Sequence, residues 1–267
     1  HGNHKENYQA GTDVRAKITI LAEGSRGHLT KQLIKTFDLS REKNPQAYSV
    51  GVKELWEVPA GTIEPGHVIH TMGYPLDLFQ FGGGFIYGLP GNRVALGLVI
   101  GLDYKDPTFD PHHAFQVYKQ QPFVKKLLEK GKLIRYGAKT IPEGGLYSLP
   151  RLYHDRLMIV GDSAGFLAMP SLKGIHLGIE SGMLAAKTAF EALKAGDFSK
   201  EKLALYDELF RKSGIYKDLY PVRNFRQGFK RNLFFGAIHF AFQLISGGRR
   251  LSLSGRLKME EDGEQCK

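Results

Sequence analysis

The chain has 267 residues, is 42% hydrophobic and 11% aromatic, and carries a formal charge of +10. That length and apolar content support one large domain or two unequal ones and exclude a disordered chain, while 32 glycines and 12 prolines without a period exclude collagen-like and low-complexity classes. A single cysteine, Cys266, excludes a disulfide framework and a Cys-x-x-Cys metal site, and no metal ligands are singled out.

The chain opens on His1 in a polar stretch with neither an initiator methionine nor an apolar signal segment, which reads as a fragment. Lys17 to Ala22 forms a short buried strand ended by "EGSRG", after which Leu29, Leu33 and Phe37 mark one face of a helix. Residues 48 to 102 change character. The β-rich runs "YSVGVKELWEV", "HVIHTMGYP", "GFIYGLP" and "RVALGLVIGL" predict an antiparallel sheet whose last hairpin turns at "LPGN". From Pro111 to Lys130 the pattern is helical, divided at Pro122 because proline lacks the amide needed inside a helix. "KLIRYGAKTI" adds a strand. A further strand, Leu157 to Val160, leads through "GDSAGF" to a helix over about Gly174 to Ala195, closed by Gly196. A second amphipathic helix near 199 to 213 precedes a basic segment.

Between Arg211 and Arg250 nine basic residues (Arg211, Lys212, Lys217, Arg223, Arg226, Lys230, Arg231, Arg249, Arg250) face one acid, Asp218, so this window carries +8 of the +10. Such a patch suits nucleic acid, a membrane surface or an acidic protein partner. Within it, residues 233 to 245 are almost wholly apolar, yet as a helix they reach only about 20 Å, short of a ~30 Å hydrocarbon core. Asn232, Gly236, His239 and Gln243 form a narrow polar stripe, leaving a wide apolar arc with Phe234, Phe235, Ile238 and Phe242; Lys230, Arg231, Arg249 and Arg250 bracket the ends. This predicts a helix lying in a membrane interface, with a buried core helix as the alternative. Nucleic acid is not expected as a partner, since the aromatics cluster in one helix instead of alternating with basic residues.

Two glycine-rich stretches carry candidate chemistry. At the bend after Val160, the N-terminus of the following helix offers amide donors and a positive dipole end, and Asp162 can accept hydrogen bonds from sugar-like hydroxyls. That combination suits a ribityl chain; an ordinary strand-to-helix turn with Asp162 as a cap fits the same letters. Along the helix, Ile175, Ile179, Met183, Ala186, Phe190 and Leu193 predict a buried stripe. Gly178, Gly182 and Ala185 predict a second, small-residue stripe that admits a backbone or a flat ligand. In "FQFGGGFIYG", Gly82, Gly83 and Gly84 sit among Phe79, Phe81, Phe85 and Tyr87. No helix start or lysine follows, so the run suits a narrow apolar slot for a flat ring with polar oxygens. A glycine bulge between closely crossing strands is the alternative.

The motifs "KITILAEGSRGHLTKQL", "GVKELWEV", "TMGYPLD", "FGGGFIYGL", "GLVIGLDYKDP", "GGLYSLPRL", "GDSAGF" and "LKGIHLGIESGMLAAK" occur in the order and spacing found in electron-transfer flavoprotein:ubiquinone oxidoreductases, which the chain resembles from about residue 15 to 250. More broadly it is similar to the flavoprotein group that includes geranylgeranyl reductases and aromatic hydroxylases. The resemblance implies FAD contacts for Gly161, Asp162, Gly165, Gly174 and His176, although His176 by itself reads as a packed or capping residue. It implies a second contact at Glu23 and Gly24, which also read as a plain loop. It implies a quinone site at Gly82, Gly83 and Phe81, with Tyr74 and Pro75 in the same wall, and membrane contact through Phe234, Phe235, Ile238 and Phe242.

The family's G-x-G-x-x-G dinucleotide motif does not occur in this sequence, and its 4Fe-4S cluster needs four thiolates where Cys266 stands alone. The expected chain is therefore the middle of a longer enzyme: α/β (α+β), with a partial Rossmann-like FAD layer in residues 1–47 and 142–213. An antiparallel quinone-binding sheet is expected in 48–141, a membrane-associated segment in 214–250 and a polar tail in 251–267. The implied reaction passes electrons from reduced electron-transfer flavoprotein through FAD to ubiquinone at a bacterial or mitochondrial inner membrane, with no catalytic side chain singled out. Two alternatives are a geranylgeranyl-reductase-like enzyme acting on a prenyl chain and a non-catalytic membrane-binding remnant.

Overall fold

The structure, a computed structural model, describes residues 5–230, 232–246 and 255–265, so the predicted roles of Arg231, Arg249 and Arg250 and the position of Cys266 lie outside the described residues. Two sheets organise it. The smaller joins β1 (Thr19–Leu21), β7 (Tyr153–His154) and β8 (Leu157–Ile159) in the order β1-β8-β7. In it β1 runs parallel to β8, with Leu21 opposite Ile159. A parallel pair separated by more than a hundred residues needs a long crossover, and the whole second sheet lies within that crossover.

That larger sheet is antiparallel and has the order β3-β4-β5-β2-β6. It comprises β2 (Tyr48–Glu57), β3 (Val68–Thr71), β4 (Gly82–Leu89), β5 (Arg93–Gly101) and β6 (Lys132–Pro142). Gly91 and Asn92 take positive φ at the β4–β5 hairpin, as "LPGN" predicts. One face packs Ile86, Val94, Leu96, Leu98 and Ile100 onto Ala114, Phe115, Tyr118, Val124 and Leu127. Those last five sit on α2 (Pro111–Lys119) and α3 (Pro122–Leu128), separate helices on either side of the expected break. Asp110 caps α2 through the amide of His112, with Pro111 at the first helical position, where its missing N–H costs nothing.

The helices around the smaller sheet depart from two expected stripes. α1 (His28–Thr36) buries Thr30 and leaves Leu29 and Phe37 exposed. Its rotation is set by Glu23, which accepts from the Thr30 amide and hydroxyl, each at 2.7 Å. α4 (Ile175–Ala195) ends at Gly196 in the left-handed region, as expected. It buries Leu177, Ser181, Ala185, Thr188 and Ala192, whereas Ile175, Ile179, Met183, Phe190 and Leu193 face outward. The inward side is the small one because the helix passes close over the bend, where a Cβ built on Gly161 would lie 3.8 Å from the Gly178 Cα.

The region near 199 to 213 is α5 (Lys200–Leu203) and α6 (Leu205–Lys212), followed by α7 (Gly214–Leu219), α8 (Phe225–Gly228) and α9 (Leu233–Ile245). Of the basic cluster, Arg223 and Arg226 are interior at 2% and 1% exposure, so the segment is less of a surface patch than its letters suggest.

Candidate functional site: a glycine bend and an apolar cavity

Around the bend, three separate segments are tied together by hydrogen bonds. Gly161 and Gly165 take φ of 58° and 91°, conformations that glycine adopts without steric cost. The Gly161 amide donates to Ser181 Oγ on α4 at 3.0 Å, the Ala164 and Phe166 amides to the Gly161 carbonyl, and the Gly165 amide to the Asp162 carbonyl. The two bend glycines therefore shape the turn, and their own donors are already used, that of Gly165 within the turn and that of Gly161 by α4. Ser163 Oγ donates to the Gly24 carbonyl at 3.1 Å, joining the bend to the turn after β1. Ser25 Oγ reaches the Thr140 carbonyl on β6 at 2.8 Å, joining that turn to the larger sheet.

The other predicted flavin contacts are distributed around this frame. Gly174 precedes α4 and gives it no side-chain cap; a Cβ there would lie 3.7 Å from Asp162 Oδ1, so the Asp162 carboxyl sits beside the helix start. Desolvation raises the Asp162 carboxyl above its ordinary 3.8, and Lys139 pulls it back. Lys139 was not anticipated from sequence. It reaches the bend from β6, with its Nζ at 3.8 Å from a Cβ built on Gly24. Glu23 is committed to the α1 N-terminus, and His176 pairs through Nε2 with Asp218 at 3.1 Å on the surface. Both side chains are solvent-exposed and each has a partner within the protein.

The second face of the larger sheet, opposite α2 and α3, walls a cavity of about 400 Å³. Gly83, Phe85 and Tyr87 of β4, Val99 of β5, Ile141 of β6 and His70 of β3 form one side. Leu167, Met169, Pro170 and Leu172, just beyond the bend, form the second. Phe81, Phe225, Phe229 and Leu233 close the end. A volume of this size with an apolar lining suits a flat organic ring. The glycines make room for the sheet's own packing as well: a Cβ on Gly84 would come within 2.6 Å of Tyr118, and one on Gly82 within 2.2 Å of the Val99 carbonyl. β3 ends at Thr71 opposite Gly84, so Gly82 and Gly83 pair with β5 alone. Backbone groups on consecutive strand residues point to opposite sides, which turns one of these two glycines away from the ladder.

Gly82, Gly83 and Phe81 thus come together as expected, whereas Tyr74 and Pro75 are not among the lining residues, and Tyr74 is 69% exposed. Chain segments far apart in sequence complete the wall, among them Met169 to Leu172, Phe225, Phe229 and Glu143. Only "PEGG" at the end of β6, an acid pinned between proline and two glycines, hinted at the last of these.

Beside the cavity, α9 is built inside out. Gly236 and Gln243 are buried and His239 packs on Gly228, so the polar stripe faces inward. Phe234, Phe235, Ile238 and Phe242 are 68%, 44%, 42% and 50% exposed. The Leu233 amide donates to the Leu78 carbonyl at 2.9 Å, which links the helix start to a loop that exposes Met72, Leu78 and Phe79. Among the described residues no helix is long and apolar enough to cross a membrane.

A strand-bend-helix unit lies against an antiparallel sheet with a cavity between them, and solved structures, a flavin-dependent brominase among them, share that fold. A geranylgeranyl bacteriochlorophyll reductase-like protein from Thermoplasma acidophilum superposes with a TM-score of 0.64 at 17% identity, over 92% of this chain and 56% of that one. The flavin-dependent brominase Bmp2 superposes at 0.55 and 18% identity, over 91% and 60%. Sequence narrows the class. Residues 48–141 match the family model described as ETF-QO, ubiquinone-binding. The mitochondrial electron transfer flavoprotein-ubiquinone oxidoreductase of Arabidopsis thaliana is 43% identical over 234 residues, 87% of this chain and 36% of its own length. Over most of its length the chain is similar to electron transfer flavoprotein-ubiquinone oxidoreductases, and it spans less than half the length of the curated relatives it matches.

Proposed function

We propose that the protein is an FAD-dependent oxidoreductase that takes electrons from reduced electron-transfer flavoprotein and delivers them to ubiquinone at a bacterial or mitochondrial inner membrane. The observation that carries this reading is the apolar cavity of about 400 Å³, walled by the glycine strand of the matched ubiquinone-binding region and by Leu233 at the start of α9. A quinone ring fits such a slot because its only polar atoms are its two oxygens, which backbone groups at Gly82 and Gly83 can meet.

In this reading residues 1–47 and 142–213 form the flavin side, 48–141 the quinone side and 214–250 the membrane-associated segment. The residues present fit the sugar and ring end of a flavin: Asp162 stands at the uncapped start of α4, and Gly161, Gly165 and Gly174 keep side chains out of the bend. When bound, the flavin supplies redox chemistry, and the protein's part is to place it beside the cavity and exclude water. The chain does not fit an iron–sulfur cluster, since one cysteine cannot supply four thiolates. Burying the exposed phenylalanines of α9 in lipid at the headgroup boundary supplies monotopic attachment without a spanning helix.

The test is purification of the natural-length protein, its visible spectrum, and an assay with reduced electron-transfer flavoprotein and a short-chain ubiquinone. Flavin bands together with quinone reduction are expected. A colourless protein, or one that saturates prenyl double bonds and leaves quinone untouched, overturns the reading.

A further inference from the structure

Two buried glutamates in the larger sheet are treated in opposite ways. Glu54, at 6% exposure, receives three hydrogen bonds from two donors: Lys119 Nζ at 2.8 and 2.9 Å and Trp56 Nε1 at 2.7 Å. Glu143, at 1% exposure just after β6, makes no well-aligned hydrogen bond through either carboxyl oxygen, with the Ser49 hydroxyl and the Arg226 guanidinium beside it. Arg226 Nε lies 3.3 Å from its Oε2 without hydrogen-bond alignment, and the same guanidinium is already held by Asp103, whose Oδ1 lies 2.5 Å from Arg226 Nη2. A buried charge that is not fully paired is costly, and a carboxyl avoids that cost by keeping its proton.

Glu143 also lies in the wall of the cavity, and it shares a small side chamber of about 10 Å³ with Arg223, Arg226 and Gln227. That is about the room one water needs. Outward from Glu143 the chain of acids continues. Asp103 is 12% exposed at its side chain, and Asp262, which accepts the Tyr48 amide at 2.9 Å, lies close enough to both Asp103 and Arg226 to feel their charges.

We propose that Glu143 donates a proton to a quinone oxygen in the cavity and is reloaded from water through Asp103 and Asp262. The inference rests on the proposed function and adds to it the source of a proton. Reducing a quinone takes two electrons, here from a reduced flavin, and two protons; each carbonyl becomes a hydroxyl. One new O–H bond forms as the Glu143 O–H bond breaks, and the second proton is drawn from bulk water at the mouth, where His70 is exposed. The groups that bear on Glu143 agree with a carboxyl that exchanges its proton near neutrality. Burial pushes it up to about 7, Asp103 adds to the rise, and Arg226 and the Ser49 hydroxyl oppose it.

The test uses the natural-length flavin-loaded protein carrying Glu143→Gln, which keeps the shape and removes the acid. Short-chain ubiquinone reduction is expected to fall about 10²-fold, the size of a general-acid contribution, and to lose its decline as pH rises through 7. Reduction of ferricenium, which takes electrons without protons, is expected to be unchanged, and Glu143→Asp to recover part of the quinone rate. In infrared difference spectra a protonated-carboxyl stretch at neutral pH is expected in the unmodified protein and absent from Glu143→Gln. Equal losses with both acceptors, an unchanged quinone rate, or no such carboxyl band overturns the proposal. An unmodified protein that reduces ferricenium but never quinone defeats the functional reading, and the proposal with it, and is recognised by a carboxyl band that persists.

Discussion

The bend after β8 and the cavity under the larger sheet are both lined by glycine, yet they use it differently. In the bend, glycine lets the backbone fold back on itself; the Gly165 amide is satisfied inside the turn, and Ser181 reaches down from α4 to accept from the Gly161 amide. In the cavity, glycine removes side chains from a regular strand, where β3 has ended and Gly82 and Gly83 pair on one side only, and Glu143 in the same wall makes no well-aligned hydrogen bond. The first region is closed by its own hydrogen bonds and presents shape. The second leaves polar groups incompletely paired in an apolar wall, an arrangement that costs stability and that a ligand can repay.

On that contrast, added bulk is punished most in the sheet. Gly82→Val puts a side chain 2.2 Å from a backbone carbonyl that cannot retreat. It is expected to cost about 3 kcal/mol, read as a fall in the denaturation midpoint, and to abolish binding of a short-chain ubiquinone. The apolar arc of α9 should matter for lipid and not for folding. Replacing Phe234 and Phe242 together by serine is expected to weaken sedimentation with anionic vesicles by about 10²-fold, since each buried phenylalanine contributes about 1.5 kcal/mol or more, with the thermal midpoint unchanged. In the bend, Ser181→Ala strips the partner from the Gly161 amide and is expected to cost about 1 kcal/mol in chemical denaturation.

The smallest effect concerns Glu23. Its hydrogen bonds to Thr30 hold its carboxyl below the usual 4.5. Because the folded value is the depressed one, the stabilisation is complete above the unfolded value and is lost as pH falls through the folded value. Glu23→Gln should flatten that acid limb of the stability curve and leave the neutral range little changed, as followed by circular dichroism.

Strand alternation, the proline break between α2 and α3, and the glycine stop after α4 could all be read from local letters, because each rests on the conformation of one or a few residues. Helix rotation could not. In α4 the larger apolar residues suggested the buried side, but the close passage over Gly161 selects the small ones, and in α1 the Glu23 cap turns Thr30 inward. Arg223 and Arg226 read as surface charge because a buried arginine is recognised only when its partners are brought to it from elsewhere in the chain: Asp103 and Glu143 for Arg226, the Tyr147 hydroxyl for Arg223.

By itself, then, the sequence determined the order of strands and helices, the two glycine-rich stretches, and an apolar helix too short to span a bilayer. These depend on backbone freedom and on the period of apolar residues along a single segment. Which side of each helix is hidden, and that segments as distant as His70, Glu143, Met169 and Phe229 surround one cavity, was decided by tertiary packing. Burial and pairing are relations between segments, and they come into being only when the chain closes on itself.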